Sequence, residues 1–201
     1  KGNGIILSSK NGYTEIVFLD DNRAIETCGK YPVVGVSSDA MRYSGSDFVI
    51  GIGKAEIRKK MQEELIHRGL HVVTLVHPKA VVAPDVSFGV GTVVMAGAII
   101  NSCSTIGDGC IINTGATVDH DNTIADYVHI SVGSHLAGTV SIGAGTWIGA
   151  GAIVINNVCI CENCMVGAGA VVVKNLTEPH TYIGIPARKS SMYHGQDDAS
   201  I

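Results

Sequence analysis

Stepping by six from Val82 lands on Phe88, Val94, Ile100, Ile106, Ile112, Val118, Ile124, Ile130, Leu136, Ile142, Ile148, Val154, Ile160, Val166 and Val172, sixteen positions of which none is polar. Four places after each comes a small or β-branched residue in nearly every unit: Val86, Thr92, Ala98, Ser104, Cys110 and Ala116, then Val128, Ser134, Val140, Thr146, Ala152, Val158, Cys164 and Ala170. Asn122 is the clear polar break in that second series. A helix repeats its apolar positions at three and four residues and a strand at two, so neither alone has this period. A short strand followed by a turn does, and a unit that small buries its inward residues only against copies of itself. The result is a β solenoid whose coils hydrogen-bond through the backbone. That suits a chain with 25 Gly and only 16% charged residues, because cohesion then asks little of the side chains.

The pattern resembles the hexapeptide repeat, and the resemblance implies a left-handed parallel β-helix of triangular section with three hexads per coil. Residues eighteen apart then lie above one another at the inter-strand spacing of roughly 4.8 Å. The hand comes from the resemblance; most parallel crossovers are right-handed.

Ahead of the solenoid the pattern changes. Residues 4–7, 15–21, 31–35 and 47–53 read as strands, and 71–77 as another. Between the last two, residues 54–68 have helical periodicity, with Ile57, Met61, Leu65 and Ile66 on one face and Arg58, Lys59, Lys60 and Glu63 on the other; Gly69 stops the helix. Strand, helix, strand predicts a small α/β domain of the Rossmann type. The division expected is 1–77 for this domain, 78–188 for the solenoid from Pro78, and 189–201 for a polar tail, with 182–188 capping the last coil. Only seven residues separate Leu7 from Glu15, too few for a crossover helix. Either the two strands form an antiparallel hairpin or a segment is missing after Leu7, and the second is the expected reason.

A net charge of -4 and a pI near 6.0 offer no basic face for nucleic acid. No apolar run is long enough to span a membrane and no signal-peptide pattern opens the chain, which predicts a soluble cytoplasmic protein. In the six-residue register Cys159 and Cys161 flank inward Ile160 and point out, while Cys164 points in. Cys110 and Cys164 share a column three coils apart, roughly 14 Å. Free thiols are therefore expected, rather than disulfides or a metal site.

Asp119, His120 and Asp121 fall on outward and turn positions, with Asn122 behind them in an inward slot. A histidine between carboxylates is held in one tautomer and kept basic enough to accept a proton near neutral pH. Gly138 stands one coil from His120 and has no side chain, which leaves room for a slender ligand and points a backbone N–H toward a developing oxyanion. His129 and His135 are outward on different faces. Trp147, one coil above His129, is outward too, an exposed ring that suggests a subunit or ligand contact.

An ordered set of segments makes the resemblance specific: FLDD at 18–21, GIGKAEIRKKM at 51–61, NTGATVDHD at 113–121, HISVGSHLAG at 129–138 and GIPAR at 184–188. Together with the hexads they resemble the bacterial sugar acetyltransferases typified by UDP-4-amino-sugar N-acetyltransferase, with sialic acid O-acetyltransferase as a relative. The resemblance implies acetyl transfer from acetyl-CoA to the amine of a nucleotide-linked sugar in a ternary complex, without metal or acyl-enzyme. His120 would be the general base and Asp121 its orienting partner, where the family usually has Glu. His129, Gly138, Ala150, Ala168 and Pro186 would meet acetyl-CoA; Asn113 would touch the sugar. Asp20, Asp21, Gly51 and Gly53 would hold the nucleotide sugar. A homotrimer with sites between subunits is implied as well. The family's Gly-rich loop after the first strand has no counterpart here, since the chain passes from GIIL to SSKNGY. Two alternatives carry different chemistry: O-acetylation of sialic acid or another surface-polysaccharide sugar, and a zinc hydrase like the γ-type carbonic anhydrases. The spacing of His129 and His135 argues against the second.

Overall fold

The computed structural model describes residues 12, 13 and 15–191. The strand expected at 4–7 and the proposed gap after Leu7 lie outside them. Seventeen two-residue strands, from Leu75–Val76 to Val171–Val172, recur every six residues and form the three walls of a left-handed parallel β-helix. From Leu75–Val76 through Ile153–Val154 each strand pairs in parallel with the one eighteen residues on, as Ile111 with His129 and His129 with Trp147. The inward residue of each strand is the core: Ile100, Ile106, Ile112, Ile124, Ile130 and Ile148 are at most 1% exposed. Each contributes on the order of 2 to 3 kcal/mol by leaving water.

The corners recur with the same period. Every six residues the chain turns through a left-handed residue, glycine at Gly115, Gly133 and Gly151 and non-glycine at Cys103, Asp121, Tyr127, Thr139, Asn157 and Asn163. The stack starts at Leu75–Val76, three residues before Pro78, and ends under a cap: Thr181–Ile183 pairs with Met165–Val166, and Arg188–Lys189 folds back on it antiparallel. Tyr182 and Ala187 are buried there.

The outward residues distinguish the walls. One wall presents Ser87, Thr105, Thr123, Ser141 and Cys159. A second presents Val81, Ile99, Thr117, His135, Ile153 and Val171, and on it Val81, Ile99 and Ile153 stay exposed. The third presents Leu75, Val93, Ile111, His129, Trp147 and Met165.

The small domain holds three short strands, β1 (Phe18–Leu19), β2 (Thr27–Cys28) and β3 (Tyr31–Gly35), with β1 parallel and β2 antiparallel to β3. A parallel pair follows, β4 (Asp47–Phe48) with β5 (His71–Val72), on either side of helix α1 (Ala55–His67). The strands expected at 15–21 and 47–53 are thus shorter, and 71–77 divides between the domain and the first coil. Gly69, at φ 77°, ends α1 while the Gly69 and Leu70 N–H groups close on Ile66 and Leu65.

The buried face of α1 differs from the one its pattern predicts. Arg58, Gln62 and Leu65 are buried, whereas Ile57 and Ile66 are exposed. The reason is the surface it meets, a solenoid corner whose turn carbonyls point outward. Arg58 donates from Nε to Gly109 O (2.6 Å), from Nη2 to Tyr127 O (2.7 Å), and from Nη1 to Ile52 O and Gly53 O (2.7 and 2.8 Å). Gln62, one turn on, donates to Val90 O at 2.9 Å. A buried guanidinium survives without a carboxylate because four carbonyls replace its water. Desolvation nevertheless lowers its pKa.

Candidate active site

His120 and Asp121 occupy one corner, between strands Thr117–Val118 and Thr123–Ile124. The turn sets Asp121 at φ 58°, a conformation that Asp tolerates better than most residues. Its carboxylate then meets His120 Nδ1 at 2.7 Å. Both side chains remain 55% exposed. Asp119 accepts the His120 backbone N–H and the Asn101 amide, both at 2.8 Å, and these contacts lower its pKa. The hydrogen bond to Asp121 raises the pKa of His120; desolvation opposes it, and the charges of Asp119 and Asp121 add to the rise. With Nδ1 committed to Asp121, Nε2 is the free proton acceptor.

Gly138 is where the register put it, but the space beside it is not open for a ligand. A Cβ there would sit 2.6 Å from both Cε1 and Nε2 of His120. The imidazole itself fills the gap, so the glycine gives the ring its seat.

His129 and Trp147 were read as open outward groups; both are covered. His129 is 8% exposed and stacks on Trp147 at a centroid separation of 4.7 Å. Trp147 is half-buried, donates Nε1–H to Ser131 Oγ at 2.6 Å and reaches toward Gly53. Periodicity tells inside from outside of the prism; it is silent on what the small domain lays over a wall. Asn113 accepts the Thr114 N–H, which turns its Nδ2 toward His129 Nε2 at 3.2 Å. The proton of the neutral ring therefore sits on Nδ1, which is buried and meets no hydrogen-bond acceptor. Burial, then the charge of Arg58, pushes the His129 pKa down to about 4.

The remaining residues fall into separate places. Ala150 and Ala168, eighteen apart, are exposed in one column at a different corner from His120, and exposed Pro186 lies in the cap. Asp20 is buried and accepts the Asn22 N–H; Asp21 accepts the Ser37 N–H and hydroxyl. Asp20 also lines an open hollow of about 290 Å³ with Arg23, Glu26 and Asp39, charged groups the sequence reading passed over. Gly51 is exposed and does not line that hollow, and neither does Gly53, whose carbonyl belongs to the Arg58 cluster. One thiol expectation changes. Cys161 and Cys164 converge to 3.4 Å between sulfurs, because both lie on one turn, and all six cysteines are free. Among the described residues no three His, Cys, Asp or Glu converge on one point, and no helix is long and apolar enough to cross a membrane.

Stacked coils, each of three six-residue units, place the protein among the acyltransferases of the hexapeptide-repeat class. The family described as PglD N-terminal domain matches residues 5–65, and bacterial transferase hexapeptide (six repeats) matches 139–174. The acetyltransferase domain of PglB from Neisseria gonorrhoeae, solved with acetyl coenzyme A, is 37% identical over 90% of each chain, with a TM-score of 0.85. PerB from Caulobacter crescentus, solved with CoA and GDP-perosamine, is 39% identical over 90% of this chain and 88% of that one, at a TM-score of 0.84. WeeI from Acinetobacter baumannii, at 24% identity and a TM-score of 0.63, shares the fold. The chain belongs to the PglD-like sugar N-acetyltransferases.

Proposed function

We propose that the protein transfers an acetyl group from acetyl-CoA to the amine of a nucleotide-linked 4-amino sugar, a UDP-sugar in the first instance, with His120 as general base. The observation that carries this is the His120–Asp121 pair, with Nδ1 tied at 2.7 Å and Nε2 free above Gly138. The neutral amine attacks the thioester carbonyl, Nε2 takes the proton the nitrogen sheds, and as the C–S bond breaks Nε2 returns that proton to the sulfur, so that CoA leaves as the thiol. Bringing amine and thioester together supplies much of the rate, so one base suffices. PerB binds GDP-perosamine, which supports the amino-sugar class and makes the nucleotide a question for experiment.

The residues present suit acetyl-CoA. Exposed Ala150 and Ala168, one coil apart, leave a strip along which a pantetheine arm lies close to the backbone. The unanswered Nδ1–H of His129 is a donor of the kind an acyl carbonyl oxygen satisfies. Asn113 beside it is assigned to the sugar. His120 and the alanine strip stand at different corners, with the bare wall of Val81, Ile99 and Ile153 between them. We therefore read the working unit as a homotrimer, in which the base corner of one subunit meets the alanine corner of the next.

The test is a panel of UDP- and GDP-linked 4-amino sugars, with hydroxyl acceptors as controls, assayed by release of free CoA thiol. Turnover with an amino sugar that survives His120→Ala would remove the histidine from the mechanism; turnover confined to hydroxyl acceptors would replace the reaction. Mixing His120→Ala with Ala168→Trp subunits should restore part of the activity each lacks, through hybrid sites. No recovery in stably mixed oligomers would place each site within a single chain.

A further inference from the structure

We propose that Asn122 is a positioning residue for the proton-accepting histidine: its amide, sunk in the core behind the turn, fixes the backbone of Asp119 and His120 so that the imidazole stands over Gly138 beside the Asp121 carboxylate. This rests on the reading of His120 as the base.

Asn122 is 1% exposed, in a slot that holds Ala98, Ala116, Ala152 and Ala170 in other hexads. Where that slot carries Thr92, Ser104 or Thr146, the hydroxyl makes a routine pair of bonds, donating to a carbonyl fifteen residues on and accepting the N–H eighteen residues on, while Ser134 donates instead to Ser131 O. Thr92 donates to Gly107 O at 2.7 Å, Ser104 to Asp119 O at 2.9 Å and Thr146 to Cys161 O at 2.9 Å. Asn122 makes the same pair: Nδ2 donates to Ala137 O at 3.0 Å, and Oδ1 accepts the Val140 N–H at 3.1 Å. The amide has a second hydrogen that a hydroxyl lacks. Nδ2 also turns back on its own corner, to Asp119 O at 2.6 Å and His120 O at 3.3 Å.

The corner needs that hold. Asp121 sits at φ 58°, and a left-handed non-glycine residue persists only where its surroundings over-determine it. His120 and Asp121 are themselves half exposed, so little outside the turn restrains their side chains. The titratable groups acting on the ring are Asp119 and Asp121 from its own turn; Cys103, one coil away, feels the charge of Asp121 and has its thiol tied to Asp85. The Gly138–Thr139 turn on which the ring rests brings none.

The experiment uses the full chain. Asn122→Ala should fold, since alanine fills the slot elsewhere. Its kcat should fall by about tenfold or more while KM for acetyl-CoA stays within about twofold. The His120 pKa, read by NMR titration of the imidazole, should drop by at least about 0.3 pH unit as the Asp121 bond loosens. Asn122→Ser keeps the routine pair of bonds without the turn bonds and should behave like the alanine variant in both readouts. Thr92→Ala, which loses only the routine pair of bonds, should leave both near wild type. An unmoved His120 pKa in Asn122→Ala, wild-type behaviour in Asn122→Ser, or an equal effect from Thr92→Ala each overturns the proposal. A shifted pKa with full turnover in both Asn122→Ala and His120→Ala would instead leave the positioning intact and sink the base.

Discussion

Two corners of the prism have the same backbone and opposite contents. At one, the left-handed turn residues are Cys103, Asp121, Thr139 and Asn157, with φ from 58° to 62°. At the other they are Gly97, Gly115, Gly133, Gly151 and Gly169, with φ from 60° to 73°. A Cβ on any of the last four would meet nothing within 4 Å, so crowding within the chain is not what demands glycine there. The first corner accepts local strain, about 1 kcal/mol or more for each ordinary residue, and gains a place to mount an acid beside an imidazole. The second stays bare, and Ala150 and Ala168 extend the bare strip. In a fold whose repeat dictates the path of the chain, what stands on a turn is the remaining freedom, and the proposed function divides chemistry and passage between corners.

Substitution at each corner tests that division, the base first. His120→Ala should lower kcat by about 100-fold or more and leave acetyl-CoA binding intact, as steady-state kinetics and calorimetry would show. A comparable loss of CoA affinity would mean that one corner does both jobs. Ala168→Trp should do the reverse, raising KM for acetyl-CoA by about tenfold or more with kcat changed much less. An unchanged KM would move the pantetheine path elsewhere.

Asp121→Asn addresses how the first corner is tuned. Asp121 raises the His120 pKa, and the base works only when neutral, so wild-type activity should fade as pH drops through a value above 6.5. The variant should carry that acid limb down toward about 6.5 with a lower plateau, and a limb that stays put would assign it to another group. The smallest effect concerns strain alone. Thr139→Gly should stabilise the fold by about 1 kcal/mol in chemical denaturation, because a β-branched residue fits a left-handed turn poorly. Gly151→Val at the bare corner should cost at least as much.

How far these features were legible in the sequence follows from what sets them. The hexads are legible because each inward residue faces only other hexads, so the period is itself the packing. Counting eighteen from His120 to Gly138 works for the same reason, although that glycine proved to seat the ring. The outside of the prism was less readable. His129 and Trp147 are outward in register but lie under the small domain, and nothing in a six-residue period encodes that cover. Helix α1 misled more plainly. Its apolar pattern favoured Ile57 and Ile66, yet the surface it meets is a row of carbonyls, so the decisive residue is a donor, Arg58. Asn122 was visible only as an interruption, and its partners needed coordinates.

The four bonds of Arg58 run to main-chain oxygens alone, two from its own domain and two from successive solenoid turns. An anchor that reads the backbone rather than side chains asks of its host the left-handed turns at Gly109 and Tyr127, and at Gly109 a bare Cα, since a Cβ there would sit 2.5 Å from the Tyr127 ring. The small domain is thereby keyed to the path of the solenoid chain at two neighbouring turns, and outward side chains elsewhere on the coils are free to vary without loosening those bonds.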